Sequence, residues 1–121
     1  MIVQIVGIVA RQDNRGELGK ALSSLLGPTQ VERGCLSCLL YKAWSNPNVL
    51  YIESRWETAA DLIQHIRSDN YKRLILLMEL GDEAPTIEFL TVTEVKGRDF
   101  IKDVGLRQMP QPEDPKLSNL N

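Results

Sequence analysis

The sequence lacks three features that point to particular classes of protein: a basic run, an apolar stretch of membrane-spanning length, and a set of metal-binding side chains. Nucleic acids and anionic lipids bind clusters of Lys and Arg, but this chain has a net charge of −2 and no such cluster. A zinc site draws most of its ligands from Cys and His, and the chain has one histidine, His65, and two cysteines. We therefore predict no nucleic-acid partner, no membrane association and no bound metal.

The first ten residues are almost entirely apolar, but they do not have the pattern of a targeting segment. No basic residue precedes them, and Gln4 and Arg11 bound a run too short to cross a bilayer. Continuous apolar runs are typical of strands covered on both faces, so residues 2–11 are predicted to form the first strand. Without a targeting segment, the predicted location is cytoplasmic.

Cys35 and Cys38 form a C-x-x-C motif, which in other settings marks a redox or metal site. Here the motif lies inside a predicted strand, where side chains three positions apart point to opposite faces. The sequence therefore predicts two separate, half-buried thiols.

The length and composition are those of a single globular domain. The chain has 121 residues, of which 43% are hydrophobic and 25% are charged, and a domain of this size can bury a core without disulfides. We place the domain over residues 1–105. Residues 106–121 contain Pro110, Pro112 and Pro115 among polar side chains, which predicts a Pro-rich tail that is flexible or packed on a partner.

Hydrophobic periodicity and turn residues predict the element order β-α-β-β-α-β. Two β-rich runs flank a Pro-centred turn at residues 45–48, a pattern typical of a hairpin. A first helix is predicted to begin at a capping box formed by Asn14 and Glu17 and to end at Gly27-Pro28. A second helical region is predicted from Thr58 to residue 80, with a break or a new cap at Ser68-Asp69-Asn70. The four strands are predicted at residues 2–11, 35–44, 49–57 and 86–96.

This order predicts a ferredoxin-like α+β sandwich, in which helices cover one face of a four-stranded antiparallel sheet. The strands carry apolar residues on both faces, with Leu40 on one side of the second strand and Leu39 and Tyr41 on the other. Helices on one face leave the second set exposed, and an apolar patch of that size is unusual on a monomer. We therefore predict a homodimer in which the open sheet faces of two copies pack together.

Short motifs occur from the second predicted strand to the fourth, namely Arg33-Gly34-Cys35-Leu36, Asn46-Pro47-Asn48, Trp56-Glu57-Thr58, Asp61-Leu62, His65-Ile66-Arg67-Ser68, Tyr71, Met78-Glu79-Leu80 and Ala84-Pro85-Thr86-Ile87. These motifs resemble those of the antibiotic biosynthesis monooxygenase family, which includes quinol monooxygenase-like proteins. The resemblance covers most of the predicted domain and is more specific for the fold than for an activity. It implies a dimeric α+β barrel with a pocket between sheet and helices in each protomer.

The resemblance also implies an activity, the oxygenation of phenolic or quinol-like aromatics without a metal or flavin. In that chemistry a base removes the hydroxyl proton of the substrate, and the electron-rich anion reacts with dioxygen. We therefore expect a cofactor-independent monooxygenase that acts on a small aromatic or quinol-like substrate. Two alternatives stay open: a non-catalytic module that binds a small apolar ligand or only dimerises, and an enzyme that isomerises a small carbonyl compound. An enzyme should contain a sizeable cavity into which a titratable group points, whereas a filled cavity favours the module.

The resemblance assigns catalytic roles to Trp56 and His65. Trp56 matches a tryptophan that lies in or beside the family pocket, where its ring can stack on an aromatic ligand. His65 matches a histidine on the second helical region, and an imidazole suits a general base near neutral pH. Tyr41, Tyr71 and Met78 are expected to bind the substrate. Each of these residues has a second explanation: Trp56 as a core residue, His65 as a histidine that hydrogen-bonds neighbouring backbone or a partner chain, and the other three as core residues or dimer contacts. Helical spacing places His65 on the flank of a buried face formed by Leu62, Ile63 and Ile66.

The chain departs from the family pattern at two places. Many members have a glutamate two residues before the tryptophan, where this chain has Ser54. Members that degrade haem use an asparagine on the first strand and a histidine late in the second helical region. The first strand of this chain has no asparagine, and the position of that histidine falls at Leu74 or Ile75. We therefore expect no cofactor.

Overall fold

The computed structural model describes residues 1–106, so the predicted tail lies outside the described residues apart from residue 106. Within the described range the chain forms four strands and five α-helices, followed by a π-helical turn. The strands are β1 (Ile2–Val9), β2 (Cys35–Lys42), β3 (Val49–Trp56) and β4 (Thr86–Thr91). The helices are α1 (Arg15–Ser23), α2 (Leu26–Gln30), α3 (Ala59–Ile66), α4 (Asp69–Met78) and α5 (Arg98–Ile101), and the π-helical turn is Lys102–Leu106.

The four strands form one sheet in the order β2-β3-β1-β4, and every neighbouring pair is antiparallel. β1 lies in the middle, where Val6 is opposite Ile52 of β3 and Ile87 of β4. β3 separates β1 from β2, so the segment that contains α1 and α2 crosses over one strand. This topology is that of the ferredoxin-like sandwich, and the predicted α+β fold is confirmed.

The core lies between the sheet and the helices, which cover one face of it. Alternate residues of the central strands point towards the helices, and among them Val6 and Ile8 are almost completely buried against Leu22 of α1 and Leu74 of α4. Burial of one such side chain contributes about 1.5–3 kcal/mol to the hydrophobic stabilisation. The other members of this core are Ala10, Leu18, Leu25, Cys38, Leu50, Ile52, Tyr71 and Met78.

The first helical segment differs from the prediction, because Gly27-Pro28 does not end it. α1 ends at Ser23, and Gly27-Pro28 lies in the first turn of α2. Proline is tolerated there because the first N–H groups of a helix have no acceptor within the helix. The predicted capping box is also wrong, because Asn14 precedes α1 without a side-chain cap. Its side-chain Nδ2 donates instead to the main-chain oxygen of Leu80 at 3.2 Å.

Side-chain caps set the positions of α3 and α4. Thr58 Oγ1 accepts a hydrogen bond from the N–H of Asp61 at 3.1 Å, which confirms the predicted start of the second helical region. Ser68 Oγ accepts from the N–H of Tyr71 at 3.2 Å. Because each cap pairs an N–H group that the helix itself leaves free, the region is divided into two helices rather than one.

A β-bulge in β2 decides which face the two cysteines occupy. Cys35 is paired with Trp56 and Cys38 with Ser54, and the register shifts between Cys35 and Ser37. Trp56 and Ser54 are two positions apart on β3, so both cysteines lie on the helix-covered face, and the prediction of opposite faces is wrong. Both thiols are free, and Cys38 is the more deeply buried. Burial raises the pKa of both thiols, that of Cys38 to about 12.

β4 is shorter than predicted because its partner strand ends. Thr91 lies opposite Ile2, the first residue of β1, and the N–H of Val92 makes one more bond, to the main-chain oxygen of Met1 at 2.8 Å. The chain then leaves the sheet. Exposed apolar side chains follow on α5 and the π-helical turn, namely Phe100, Ile101 and Val104.

The second face of the sheet carries exposed apolar side chains. Leu39 is 53% exposed and Tyr41 is 40% exposed, and both lie near an ion pair between Glu53 and Arg55, whose atoms are 3.3 Å apart. Leu90 of β4 is exposed as well. This is the surface that the predicted homodimer would bury, and the dimer stays a prediction.

The helices of residues 1–106 are short. The longest, α4, has 10 residues, whereas a membrane-spanning helix needs about 20. None of them has the length and apolar composition of a membrane span.

Candidate functional site

A pair formed by a buried histidine and a partly exposed carboxylate lies where α3 meets the connection before β2. His65, in the last turn of α3, is 4% exposed. Its Nδ1 lies 2.9 Å and 3.1 Å from the two carboxylate oxygens of Glu32. Because a carboxylate accepts hydrogen bonds, we assign a proton to Nδ1, and in the tautomer with its only proton there Nε2 has a free lone pair. A histidine oriented in this way by a carboxylate can accept a proton at its second nitrogen.

The connection between α2 and β2 holds Glu32 in front of the histidine. The N–H of Glu32 donates to the main-chain oxygen of Thr29, and the main-chain oxygen of Glu32 accepts from the N–H of Cys35, both at 3.1 Å. Gly34 has a φ of 79°, and a Cβ at this position would overlap the side chain of Asp61 on α3. Glycine therefore allows the connection to turn tightly against the helix that carries His65.

Two aromatic side chains surround the imidazole. The indole of Trp56, which is completely buried, stacks on the ring of His65 with centroids 4.4 Å apart and an interplanar angle of 25°. The ring of Tyr71 meets the imidazole edge-on at 5.1 Å. The structure thus brings together three of the five predicted site residues.

A buried hydrogen-bond network links these rings to the sheet. The hydroxyl of Tyr71 donates to Gln4 Oε1 at 2.7 Å, and Gln4 Nε2 donates to Ser54 Oγ at 3.3 Å. Trp56 Nε1 donates to the same Ser54 oxygen at 2.9 Å, so the hydroxyl of Ser54 accepts twice and keeps its own proton to donate. Burial raises the pKa of Tyr71, which keeps its hydroxyl protonated near neutral pH and makes it a donor rather than a base.

A cavity of about 10 Å³ lies beside Gln4, Ser54 and His65, with room for a single water molecule. Asn70, in the first turn of α4, donates from Nδ2 to Thr29 Oγ1, and within residues 1–106 its buried Oδ1 has no partner. The cavity is too small for an aromatic ring, so the sizeable cavity expected of an enzyme is not open beside His65 in this conformation. The lining residues are Gln4, Leu25, Thr29, Cys38, Ile52, Ser54, His65, Asn70 and Leu74.

Tyr41 and Met78 lie apart from this cluster. The ring of Tyr41 stacks on that of Tyr51 at 5.4 Å, and its hydroxyl donates to Glu53 Oε1 at 3.3 Å. These residues belong to the open face, so the sheet separates Tyr41 from His65. Met78 is buried in the core about two helical turns beyond Tyr71, and it does not line the cavity. Neither residue is placed to bind a substrate beside His65.

The buried side of α3 is also different from the prediction. Leu62 and His65 face the interior, whereas Ile63 and Ile66 are exposed. The apolar residues Leu62, Ile63 and Ile66 share one side of this 8-residue helix, but the helix packs through the edge of that side, where Leu62 lies next to His65. When the side of α3 that carries Leu62 and His65 faces the sheet, the ring of His65 can stack on that of Trp56.

Three residues of the site were not predicted from the sequence, namely Glu32, Gln4 and Asn70. Gln4 is the only polar side chain in β1, and a polar residue inside a strand predicted to be covered on both faces needs buried partners. That signal could have identified it. No local pattern marks Glu32, because it lies 33 residues from His65 along the chain.

Among residues 1–106, no group of three or more His, Cys, Asp or Glu side chains is arranged to hold a metal ion. His65 is paired with one carboxylate. Neither of the two cysteines on the helix-covered face belongs to such a group of three within the described residues.

Comparison with known protein families gives one match. A model of the antibiotic biosynthesis monooxygenase family matches residues 1–75, a range that contains β1 to β3, α3, Glu32 and the aromatic cluster around His65, but not Met78 or β4. None of the curated proteins matches the sequence.

Several solved structures have the same fold. A conserved protein from Methanosarcina mazei is 28% identical with a TM-score of 0.68, and the match covers 74% of this chain and 91% of that one. A protein from Mycobacterium tuberculosis is 24% identical with a TM-score of 0.72, over 79% of this chain and 98% of that one. A candidate antibiotic biosynthesis monooxygenase from Deinococcus radiodurans is 19% identical with a TM-score of 0.73, over 80% and 97%. The last two, at below 25% identity, show the fold alone.

Proposed function

Because this chain belongs to the antibiotic biosynthesis monooxygenase family, we propose that it is a cofactor-independent monooxygenase that oxidises a small aromatic or quinol-like substrate with dioxygen. The observation that carries the proposal is the pairing of the buried His65 with Glu32 beside the indole of Trp56. A base, a carboxylate that orients it and an aromatic surface are what deprotonation of a phenol requires. A protein from Deinococcus radiodurans with the same fold carries the same family name.

In the proposed reaction, Nε2 of His65 accepts the hydroxyl proton of the substrate. Glu32 keeps the proton of the imidazole on Nδ1 and stabilises the imidazolium that forms. The substrate anion supplies the electrons that reduce dioxygen. With an anthrone, the ring CH₂ group becomes C=O, one oxygen atom of dioxygen enters the product and the other leaves as water. Trp56 and Tyr71 keep bulk water away from the anion during this step.

The proposal requires a movement. A cavity of about 10 Å³ admits no ring, so a substrate binds only when α3 and α4 move away from the sheet. Asn70 is a suitable reporter of this opening, because its amide bridges the first turn of α4 to Thr29 of α2. Hydrogen exchange of α3 and α4, measured with and without substrate analogue, follows the movement directly.

The activity test is oxygen uptake by the purified protein with a panel of anthrones and hydroquinones. His65→Asn removes the base and should lower the catalysed rate about 10²–10⁴-fold. Glu32→Gln keeps the size of the side chain but removes the charge that orients the imidazole, and a smaller loss is expected. Glu79→Gln makes the same change at an exposed position at the end of α4, and its rate should equal that of the unaltered protein.

Two results would contradict this proposal at different points. Uptake that never exceeds the uncatalysed rate with any member of the panel would remove the oxygenase. Uptake that is unaffected by His65→Asn and by Trp56→Phe would keep the oxygenase but place its site elsewhere in the protein.

A second candidate function is a dimeric module that is not an enzyme. The specific observation in its favour is the same small cavity, since a filled interior leaves no space for a ligand. In that case no substrate analogue would alter the hydrogen exchange of α3 and α4. Nothing in the geometry of the site specifically favours the isomerisation of a carbonyl compound.

Both candidates include a homodimer formed through the open sheet face, which we propose on the exposure of Leu39 and Tyr41. Leu39→Glu should dissociate the dimer at micromolar concentration, because it would bury a charge between two sheets. Leu76→Glu is the matched control, since Leu76 is exposed on α4, on the helix side of the protomer. Sedimentation velocity of the two variants separates the outcomes, and an unaltered protein that sediments as a monomer would contradict the dimer. The cytoplasmic location stays a prediction from the sequence.

A further inference from the structure

A groove of about 410 Å³ lies between α1 and the free edge of β2. It is separate from the cavity beside His65, and the two share no lining residue. Its volume is within the range of about 300–1,000 Å³ found for small-molecule pockets. Leu40 and Leu50 form its apolar floor, and one wall is the backbone of α1 at Gly16 and Gly19.

The charged side chains that line the groove are all positive. Arg15, Lys20 and Lys42 line it, and none of the described acidic side chains does, although the chain as a whole has 16 acidic and 14 basic residues. Arg15 Nη1 donates to Asn48 Oδ1 at 3.1 Å, which fixes the guanidinium at one end. Three cations along one concave surface produce a positive potential that attracts an anion.

The edge of β2 adds hydrogen-bond donors to these charges. The main-chain oxygen of Cys38 accepts from Gln30 Nε2 at 3.0 Å, so the peptide groups of Cys38 point away from β3. In an antiparallel strand this direction repeats every second residue, which directs the N–H groups of Leu40 and Lys42 to the same free edge. Both residues line the groove, and their N–H groups are suitable donors to a carboxylate.

The two glycines of α1 keep the groove open. Glycine is among the least favourable residues in a helix interior, yet α1 has Gly16 and Gly19 within 9 residues. A Cβ at either position would have no atom within 4 Å, so the packing of this chain does not require glycine there. A larger side chain at these positions would instead occupy the space above Leu40 and Leu50.

We propose that the groove between α1 and β2 is a binding site for a small aromatic carboxylate. The carboxylate lies against the three cations and the N–H groups of the β2 edge, and the planar ring lies between the glycine wall and the two leucines. This site is independent of the monooxygenase activity, because none of its residues belongs to the cluster around His65.

The test uses 2-naphthoate and its neutral analogue 2-naphthylmethanol as probes in amide chemical-shift titrations. A ligand of about 13 non-hydrogen atoms in an open groove is expected to bind with a Kd of about 1 mM. Naphthoate should shift the amide signals of Gly16, Gly19, Leu40 and Lys42 in a saturable manner. The neutral analogue should bind at least about tenfold more weakly, since it has no charge for the cations to pair.

Three variants make the test specific. The double variant Lys20→Gln with Lys42→Gln should weaken naphthoate binding about tenfold, and Gly19→Leu should abolish it by filling the groove. Lys72→Gln, which removes a cation from the exposed side of α4, should leave the Kd unchanged. Each variant keeps its amide spectrum dispersed if it is folded.

The proposal is overturned by any of three outcomes. These are equal affinity for the two probes, saturable shifts that fall on the open sheet face or around His65 in place of the groove, and the absence of saturable shifts. The oxygen-uptake assay is not affected by any of them, so this proposal and the proposed function fail separately.

Discussion

Ser54 and Arg55 are neighbours in β3, but they lie in opposite environments. Ser54 is on the helix-covered face, where its hydroxyl accepts hydrogen bonds from Gln4 and Trp56 and is sealed from solvent. Arg55 is on the open face, where it pairs with Glu53 in contact with water. Polar groups occur on both faces, but on the covered face each must be satisfied by another side chain, whereas water supplies partners on the open face.

This difference indicates where a substitution lowers the stability most. On the covered face, a lost side chain leaves both a void and unpaired polar partners, and the free-energy costs of the two add. On the open face, the same chemical change costs little stability, and its main effect would be on the proposed dimer. Matched substitutions on the two sides of the molecule are therefore the sharpest test of the architecture.

The largest expected effect is the loss of stability caused by Trp56→Ala, for which Trp44→Ala is the matched control. Trp56→Ala removes a completely buried ring, its hydrogen bond to Ser54 and its stacking on His65, and should lower the free energy of unfolding by about 3–5 kcal/mol. Trp44→Ala makes the same change at a fully exposed position and should have no measurable effect on the urea midpoint. Similar midpoints for the two variants would mean that Trp56 is not buried as described.

A smaller effect is expected from removal of one hydroxyl group. Tyr71→Phe leaves Gln4 Oε1 buried without its donor, and we expect a loss of about 1–3 kcal/mol in urea unfolding. Tyr41→Phe removes a hydroxyl that donates to Glu53 on the partly exposed face, so its effect should be much smaller. A Tyr41→Phe variant that loses as much stability as Tyr71→Phe would contradict the contrast between the faces.

The smallest effect is a pH dependence from Cys38. Burial raises the pKa of its thiol from 9.0 to about 12, so above pH 9 the unfolded chain loses a proton that the folded chain keeps. The stability associated with this group is therefore complete below pH 9 and decreases as the pH rises from 9 towards 12. Urea unfolding at pH 8 and at about pH 10 should show a smaller decrease for Cys38→Ala than for the unaltered protein. Identical decreases would show that the thiol is accessible in the folded state.

Alkylation provides a separate check of the same contrast. Native Cys38 should resist iodoacetamide at pH 8, because its thiolate is scarce and its side chain is buried. Cys35 is more exposed and should react first. Rapid modification of Cys38 in the folded protein would contradict its burial.

The fold was predictable from the sequence because its signals are local. The turn at residues 45–48 joins β2 to β3, and the cap at Thr58 places the start of α3 within one turn of chain. Trp56, His65 and Tyr71 were predicted for the site through the family resemblance, and they do lie in contact. Their catalytic and binding roles are not tested by this contact and stay proposals.

The remaining parts of the site depend on register and on long-range contact. One bulge residue in β2 brings Cys35 and Cys38 to the same face, and strand periodicity contains no information about such an insertion. The pairing of Glu32 with His65 forms only when α3 docks on the sheet beside the α2–β2 connection. Tyr41 was assigned to the pocket by its residue type, but alternation along β2 places it on the open face.

The amino-acid sequence by itself determined the order of strands and helices, the hairpin and the cap at Thr58, because each depends on residues a few positions apart. Only the tertiary structure decided which side of α3 is buried, how Glu32, His65 and Trp56 meet, and that the cavity beside His65 admits one water molecule. The physical reason is that these properties depend on how two layers pack at close distance. Changes of a few ångströms in that packing decide whether a site is open or closed, and no local pattern encodes them.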